Sequence, residues 1–550
     1  MAKEEKKKEA VTLSDRPILK NKFYLYLTEF FAGVAVMAVE LGASRLLAPY
    51  FSSSQIVWTI IISTIMIAMA LGNIYGGKSA DRNPNPDRLY LRLLVAAIWI
   101  ALIPVLGKYI ILLITGILIV TINNNLLIIA GFVACMVIFV FPCFLLGTVT
   151  PSLTKFAVQD LTDSGKTVGQ LGAANTIGSI IGTFLPTFVT IPAVGTSITF
   201  LIFSGIILVL SLVYFISCRA RQIRCIIAVV IFGICCIFGH NSNFAFWTES
   251  LAYEGESIYN YLQVTEDDKR VVFSTNVLFG VQSVTVKDNS LTGMYYDYAM
   301  AAPLVAGFSD KTGSDNSDRN MLILGNGTGT FARQCLNYFG DFEINAVEID
   351  QKITDLATEY FDMPESVNVT TYDGRAYLQA DKNTYDVIMV DAYQDITVPF
   401  QMSSVEFFTL VKEHLSEGGV MVVNMNMRGD SEGSINDYLT DTIASVFDSV
   451  VTMDVSGSTN RELLASMSTI TPELILSKVG DLENEDLKNM MVEVAEKTVV
   501  QDKGEYILTD DKSPVELLSM KAIDGIIQDE LGYYQDIFKK EGLKGLLEEF

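Results

Sequence analysis

The stretch LILGNGTGTFAR, Leu322 to Arg333, decides how the second half of this 550-residue chain folds. A short apolar run stops at three alternating glycines, Gly325, Gly327 and Gly329, and a helical pattern follows. Glycines there permit a tight turn and let a ligand approach the backbone closely. A strand that ends in such a loop and opens a helix is the first unit of a nucleotide-type fold.

Working outward, the same alternation repeats. After MLIL and a helix to about residue 338 come INAVEID and QKITDLATEYF, VNVTTYD and RAYLQA, YDVIMVDA and SSVEFFTLVKEHL, GGVMVVNMN and a helix around 434–447, then VVTMDV and ELLASMS. Strands alternating with helices predict a doubly wound, mostly parallel, Rossmann-like sheet with helices on both faces. Upstream, residues 259–286 alternate apolar and polar between turn residues, which predicts a small antiparallel hairpin subdomain.

Ligands of such sheets bind beyond the carboxyl ends of the strands. Those ends carry the glycine loop, then Glu348, then Asp373-Gly374, then Asp391. Glu348 is placed to accept hydrogen bonds from two ribose hydroxyls, and an acid at the third strand end suits an adenine amino group. The spacing is G-x-G-x-G rather than the dinucleotide G-x-G-x-x-G, and no basic residue precedes Arg333 in the loop. Carboxylates tolerate a cationic sulfonium and repel phosphates, so an adenosyl sulfonium fits better than a dinucleotide.

The first half reads differently. Residues 1–240 hold 18 Lys+Arg against 10 Asp+Glu, leaving 21 against 53 for the remainder, and the whole chain is at −24. A basic apolar half joined to an acidic polar half implies two solvents, lipid and then water. An acidic soluble half also argues against a nucleic-acid partner, which needs clustered Lys and Arg. Six of seven cysteines lie in or beside apolar spans and only two histidines exist, so no metal site is expected. At about 20 apolar residues per crossing, spans are expected at 23–48, 56–77, 89–108 or on to 120, 125–148, 168–193, 197–217 and 223–240. That is about seven helices of a multi-pass cell-membrane protein. Odd or even parity, and with it the side of the acidic half, stays open. Glu40 and Arg45 fall inside the first span, where Arg45 either meets a partner or snorkels to the interface. ANTIGSIIGTF spaces Ala174, Gly178 and Gly182 four apart, a stripe for close helix packing. GGKSADR, Gly76 to Arg82, resembles a loop of major facilitator transporters.

Residues from about 255 to 425 resemble the spermidine synthases, aminopropyltransferases that use decarboxylated S-adenosylmethionine. The matching parts are the N-terminal hairpins, MYYDYAMAAPL, LILGNGTGTFAR, VEID, YDGRAYL and YDVIMVDAY. With VELGASRLLAPYFSSSQIVWT and LTDDKSPVE, the whole chain resembles the bacterial fused major-facilitator/spermidine-synthase membrane proteins. The expected organisation is a basic tail (1–22), a transmembrane domain (23–240), a β-hairpin subdomain (250–310), a Rossmann-like domain (318–470) and a charged helical segment (471–550), LTDDKSPVE packing beside the pocket.

The resemblance implies that the Gly325–Gly329 loop flanks the sulfonium and Glu348 holds the ribose. Asp373 and Gly374 would meet the adenine, with Asn260, Tyr295 and Tyr296 along the substrate groove. Two departures stand out. Thr328 replaces the aspartate these enzymes usually carry in the glycine loop. Their D-S-x-D-P reads Asp391-Ala392-Tyr393-Gln394-Asp395 here, so Gln394 occupies the place of the second aspartate. Asp391 is the first candidate proton acceptor and Asp395 the second. The partners implied are a lipid bilayer and a small cationic amine, with a homodimer left open. Two alternatives stand beside aminopropyl transfer: a methyltransferase using S-adenosylmethionine, favoured by the lost aspartates, and a non-catalytic membrane protein that senses a polyamine or nucleoside.

Overall fold

The structure, a computed structural model, describes residues 16–51, 54–121, 125–158, 164–241, 243–248, 250–277, 280–310, 316–393, 398–426, 431–528, 532 and 540. By internal contacts the chain divides into two units, Met1–Phe246 with Gly255–Tyr261, and Trp247–Glu254 with Leu262–Phe550.

The first unit is helical: α1 (Lys22–Phe51), α2 (Gln55–Arg82), α3 (Pro86–Thr121), α4 (Leu126–Gly147), α5 (Val149–Ala157), α6 (Ser164–Leu185), α7 (Ile191–Ser217) and α8 (Gln222–Phe238). Five helical runs among the described residues are long and apolar enough to cross a membrane, which makes this a multi-pass membrane protein. The uncertain stretch 109–120 continues α3. Two expected spans, 168–193 and 197–217, fall in one 54-residue run, Ser164–Ser217. That run breaks at Gly195, whose φ of 80° no helix adopts, after a π-helical turn at Pro186–Thr190. The expected loop Gly76–Arg82 is instead the last turns of α2. A Cβ on Gly76 would press on Thr148 at the α4–α5 junction, so close packing holds this segment helical.

The small-residue stripe acts as read. A side chain on Gly178 would run into the carbonyl of Phe30, one on Gly182 into that of Val34, and one on Gly33 of α1 into that of Asn175. Backbones this close gain dispersion energy that lipid cannot match. Two ionisable groups in the bundle have polar partners. Glu29, fully buried, accepts from the hydroxyl of Thr150 at 2.5 Å and the amide of Asn175 at 3.0 Å. Arg45 meets partners rather than snorkelling, donating to the carbonyls of Ser257 (3.2 Å) and Ile258.

The second unit starts with an antiparallel sheet, β1 (Leu251–Glu256), β2 (Tyr261–Glu266), β3 (Arg270–Ser274) and β4 (Ser283–Val286), in that order. Its first strand lies within the expected subdomain 250–310 and ahead of the alternating stretch 259–286. Two short helices follow, α9 (Tyr295–Ala299) and α10 (Ala301–Val305). The alternating part is β5 (Asn320–Leu324), α11 (Thr330–Phe339), β6 (Glu343–Glu348), α12 (Gln351–Tyr360), β7 (Val367–Thr371), α13 (Gly374–Ala380), β8 (Tyr385–Val390), α14 (Val405–Glu413), β9 (Leu415–Met425), α15 (Ile435–Val446), β10 (Ser449–Asp454), β11 (Arg461–Ser466), α16 (Pro472–Val479), α17 (Glu485–Lys497) and β12 (Val499–Val500).

The strand order is β12-β10-β11-β9-β8-β5-β6-β7. β5 to β9 run parallel, while β11 and β10 return antiparallel at one side. Alternate residues of each strand feed two cores. Met321, Ile323, Met389, Val422 and Leu464 pack with Tyr295, Tyr298 and Phe331 on one face. Leu322, Leu324, Ile388, Val423 and Leu463 pack with Phe407, Phe408 and Leu439 on the other. Strand order reverses between β5 and β8, so their carboxyl ends border the crevice where such folds place ligands. The LTDDKSPVE segment packs at α13 and α14: Asp510 accepts two hydrogen bonds of 2.7 Å from Arg375 and one of 2.5 Å from Ser404.

Gly178→Leu forces side-chain volume between α1 and α6. Overpacking of this kind costs about 1–3 kcal/mol, so the detergent-solubilised protein should melt several degrees lower, while Gly116→Leu, which meets open space, should melt like the wild type.

Candidate active site

The crevice is built where two strand ends cross. Gly325, with φ 92°, passes so close under the loop after β8 that a Cβ would lie 2.5 Å from the carbonyl oxygen of Asp391. The Asp391 N–H donates to the carbonyl of Leu324 at 2.9 Å, and the Gly325 and Asn326 N–H groups donate to the carbonyl of Val347 at 2.9 and 3.0 Å. Gly327 and Gly329 also have positive φ. Around Gly327 an added Cβ would meet Ser283 Oγ at 3.1 Å, so Ser283 lies against the loop backbone on that side. The buried Oδ1 of Asn326 has no hydrogen-bond partner among the described residues and is available as an acceptor.

Glu348, at the end of β6, is buried and tied to this loop: its carboxylate accepts from the N–H of Gly327 at 2.9 Å and of Asp350 at 3.0 Å. Burial raises its pKa to about 7 despite those backbone hydrogen bonds. It therefore braces the glycine loop in addition to any ribose it would hold. Asp373 caps α13, accepting from the Ala376 N–H at 2.8 Å, and Gly374 is the first residue of that helix. One carboxylate oxygen of Asp373 is thus committed to the cap.

Asp391 is the centre of the polar cluster. Its Oδ2 accepts from the Tyr295 hydroxyl at 2.6 Å and its Oδ1 from the Asn424 amide at 2.9 Å. Burial lifts its pKa to about 7, partly opposed by those two donors. Burial, and then the charge of Asp391, push the Tyr295 phenol well above its usual value, so that hydroxyl stays protonated and donates. Tyr296 lies against Tyr295, ring centroids 4.0 Å apart, and donates to the carbonyl of Gln282 at 3.0 Å.

Of the residues expected at the site, Gly325, Gly327, Gly329, Glu348, Asp373, Gly374, Asp391, Tyr295 and Tyr296 all belong to this unit and border or support the switch point. Asn260 groups with the helical unit, where its N–H donates to Ser257 Oγ at 2.9 Å. Gln394 and Asp395 lie outside the described residues. Two residues escaped the sequence reading. Asn424 holds Asp391, and its signal was an amide closing the apolar run GGVMVVN. Glu462, on β11, is fully buried in the same row, and its signal was an acid inside RELLAS.

The spermine/spermidine synthase domain family matches residues 305–454. A probable polyamine aminopropyl transferase of Bifidobacterium longum (strain NCC 2705) is 56% identical over 353 residues, spanning 61% of this chain and 77% of that protein. This chain belongs to the polyamine aminopropyltransferase family. It is an enzyme of the transferase type, with an aminopropyltransferase domain joined to membrane helices. A polyamine aminopropyltransferase of Vibrio vulnificus (strain CMCP6) is 24% identical over 304 residues, covering 53% of this chain and 98% of that one. Among solved structures, a probable spermidine synthase from Corynebacterium glutamicum matches at TM-score 0.37 and 19% identity, over 46% of this chain and 91% of that one.

A carboxyl whose folded pKa exceeds its unfolded value stabilises the fold at low pH, and that stability is lost as pH rises through the folded pKa. For Asp391 the loss runs from the ordinary carboxyl range up to about pH 7 and is complete above it. Asp391→Asn should therefore melt higher than the wild type at about pH 8.5, by roughly 1–3 kcal/mol of stability, and close to the wild-type temperature at about pH 4.5. Thermal melts at both pH values check this, and an equal gain at both would contradict the burial argument.

Proposed function

We propose that this chain is a membrane-anchored spermidine synthase-like aminopropyltransferase. It moves the aminopropyl group of decarboxylated S-adenosylmethionine to a polyamine such as putrescine and releases methylthioadenosine. The observation that carries this reading is Asp391, a carboxyl with pKa about 7 held by Tyr295 and Asn424, whose backbone crosses directly over Gly325 of the glycine loop.

The reaction is a displacement at the methylene beside a sulfonium, and the incoming amine must be neutral. A free primary ammonium has a pKa near that of lysine, about 10.4, so almost none is neutral at pH 7. A neighbouring sulfonium lowers that value by like-charge repulsion, while burial raises that of Asp391. The two approach each other, and proton transfer from ammonium to Asp391 becomes affordable. The neutral nitrogen then forms the C–N bond as the C–S bond breaks, sulfur keeping the electron pair. The products are a secondary ammonium and an uncharged thioether. Alignment of amine and methylene supplies much of the remaining rate.

In this reading the Gly325–Gly329 loop lies along the sulfonium, Glu348 holds the ribose as well as the loop, and Asp373 with Gly374 meets the adenine. Tyr295 and Tyr296 wall the amine channel. The carboxylates suit a cationic co-substrate and a cationic amine together.

Incubation of the detergent-solubilised protein with putrescine and decarboxylated S-adenosylmethionine should yield methylthioadenosine. S-adenosylhomocysteine formed from S-adenosylmethionine would instead mark methyl transfer, and binding without turnover would mark a sensor. Asp391→Asn should lower kcat/KM about 10²- to 10⁴-fold, the usual contribution of a positioned base, and the wild-type rate should fall on the acid side of about pH 7 as Asp391 protonates.

A further inference from the structure

Glu462 is a carboxyl for which the reaction so far has no use. It is fully buried, and neither of its oxygens has a hydrogen-bond partner among the described residues. An unpaired carboxyl in a dry interior is destabilising. Its neighbours along β11, Leu463 and Leu464, show what the core alone would select.

The sheet register says where it points. Val390 pairs with Val423, so Asp391 stands beside Asn424, and Asn424 pairs with Glu462. Paired residues on adjacent strands share a face. Asp391, Asn424 and Glu462 thus form one polar row across β8, β9 and β11. It closes the face on which Met389, Val422 and Leu464 are buried. At a strand spacing of about 4.8 Å, the outer two Cα atoms are roughly 10 Å apart. Asn424 spans the gap without serving Glu462: its amide donates to Asp391 and its carbonyl accepts from Asn460 at 2.8 Å.

The polar side chains of α9 and Lys497 of α17 have other partners. On α9, Tyr295 donates to Asp391, Tyr296 to Gln282, and Tyr298 to Glu493 of α17, while Asp297 accepts from Thr292 and Gly293. Lys497 of α17 donates to Tyr298. The paired residue on β10 is Met453. α15 packs on the opposite face, where Asp437 caps its own helix and Asp441 accepts from the N–H of Tyr506. Burial first, and then the charge of Asp391, hold Glu462 protonated.

We infer that Glu462 is a positioning residue of the amine site, giving up its proton as the cationic substrates enter and leaving a second negative charge behind Asp391. This rests on the aminopropyl-transfer reading and deepens it. The Glu462 proton passes to solvent. Asp391, still ionised, then takes one proton from the ammonium, and the neutral nitrogen attacks as described. The added charge holds the ammonium in the row and makes Asp391 a stronger acceptor. It also supplies, from the other side of the pocket, the second carboxylate that Gln394 does not provide.

The test uses the full chain in detergent, loaded with methylthioadenosine and titrated with putrescine at about pH 7.5 in two buffers of different ionisation heat. The wild type should release protons on binding. Glu462→Gln should abolish most of that release, weaken putrescine about tenfold, and move the acid limb of the rate profile down by about one pH unit. Glu462→Met should weaken putrescine likewise while melting at or above the wild-type temperature, since it removes an unpaired buried acid. Wild-type proton release and affinity in Glu462→Gln, or a Glu462→Met protein that loses stability but not affinity, would overturn the inference. Methylthioadenosine formation by the wild type is scored separately: its failure with Glu462-dependent proton release intact sinks the reaction and keeps the charge role, whereas no putrescine heat in the wild type sinks both.

Discussion

The close crossing of Gly325 beneath the Asp391 carbonyl is the constraint on which the rest of the site depends. It brings the ends of β5 and β8 together at the reversal of strand order, where only a residue without a side chain can pass. Once these two ends meet, the loop that would take an adenosyl group and the carboxyl that would take a proton share one crevice. The flanking strand ends then add Glu348 on one side and Asn424 on the other. Substitution at Gly325 would press on the very backbone that aims Asp391, so loop geometry and acid placement are one feature.

Much of this was legible in the chain, because a two-residue strand period and a glycine-to-helix transition are local. Every element from β5 to β11 was anticipated by short apolar runs alternating with amphipathic ones. What escaped was lateral. The hydrogen bond from Tyr295 to Asp391 joins residues 96 apart in sequence, and the row through Asn424 to Glu462 exists only once the antiparallel return of β11 is known. A lone glutamate before LLAS resembles an ordinary strand boundary until register places it inside. In the helical unit, hydropathy located the apolar runs but could not distinguish a crossing from a kink. Gly195 and the π-helical turn before it decide that in the backbone, and the charged GGKSADR tail of α2 stays helical because Gly76 lets α4 and α5 come close.

Both units bury acid against neutral donors. In the bundle, Glu29 is held by a hydroxyl and an amide on one oxygen. At the sheet ends Asp391 likewise has a hydroxyl and an amide, whereas Glu462 has no hydrogen-bond partner among the described residues. Fully satisfying them would lower their pKa values and remove their ability to take or release a proton near neutrality. The instability they impose on the empty fold is the usual mark of a site arranged for a ligand rather than for its own rest state.

In the proposed reading, Glu462 offers a negative charge where Gln394 replaces the expected aspartate. A cationic substrate requires negative charge within a few ångströms, but the strand that delivers it is not prescribed. A carboxyl in the interior of β11 acts through a low-dielectric core. Such a charge is costly when the site is empty and strong when it is filled. The difference between those two states is available as selectivity for cations, because a neutral ligand of the same shape would leave the cost uncompensated.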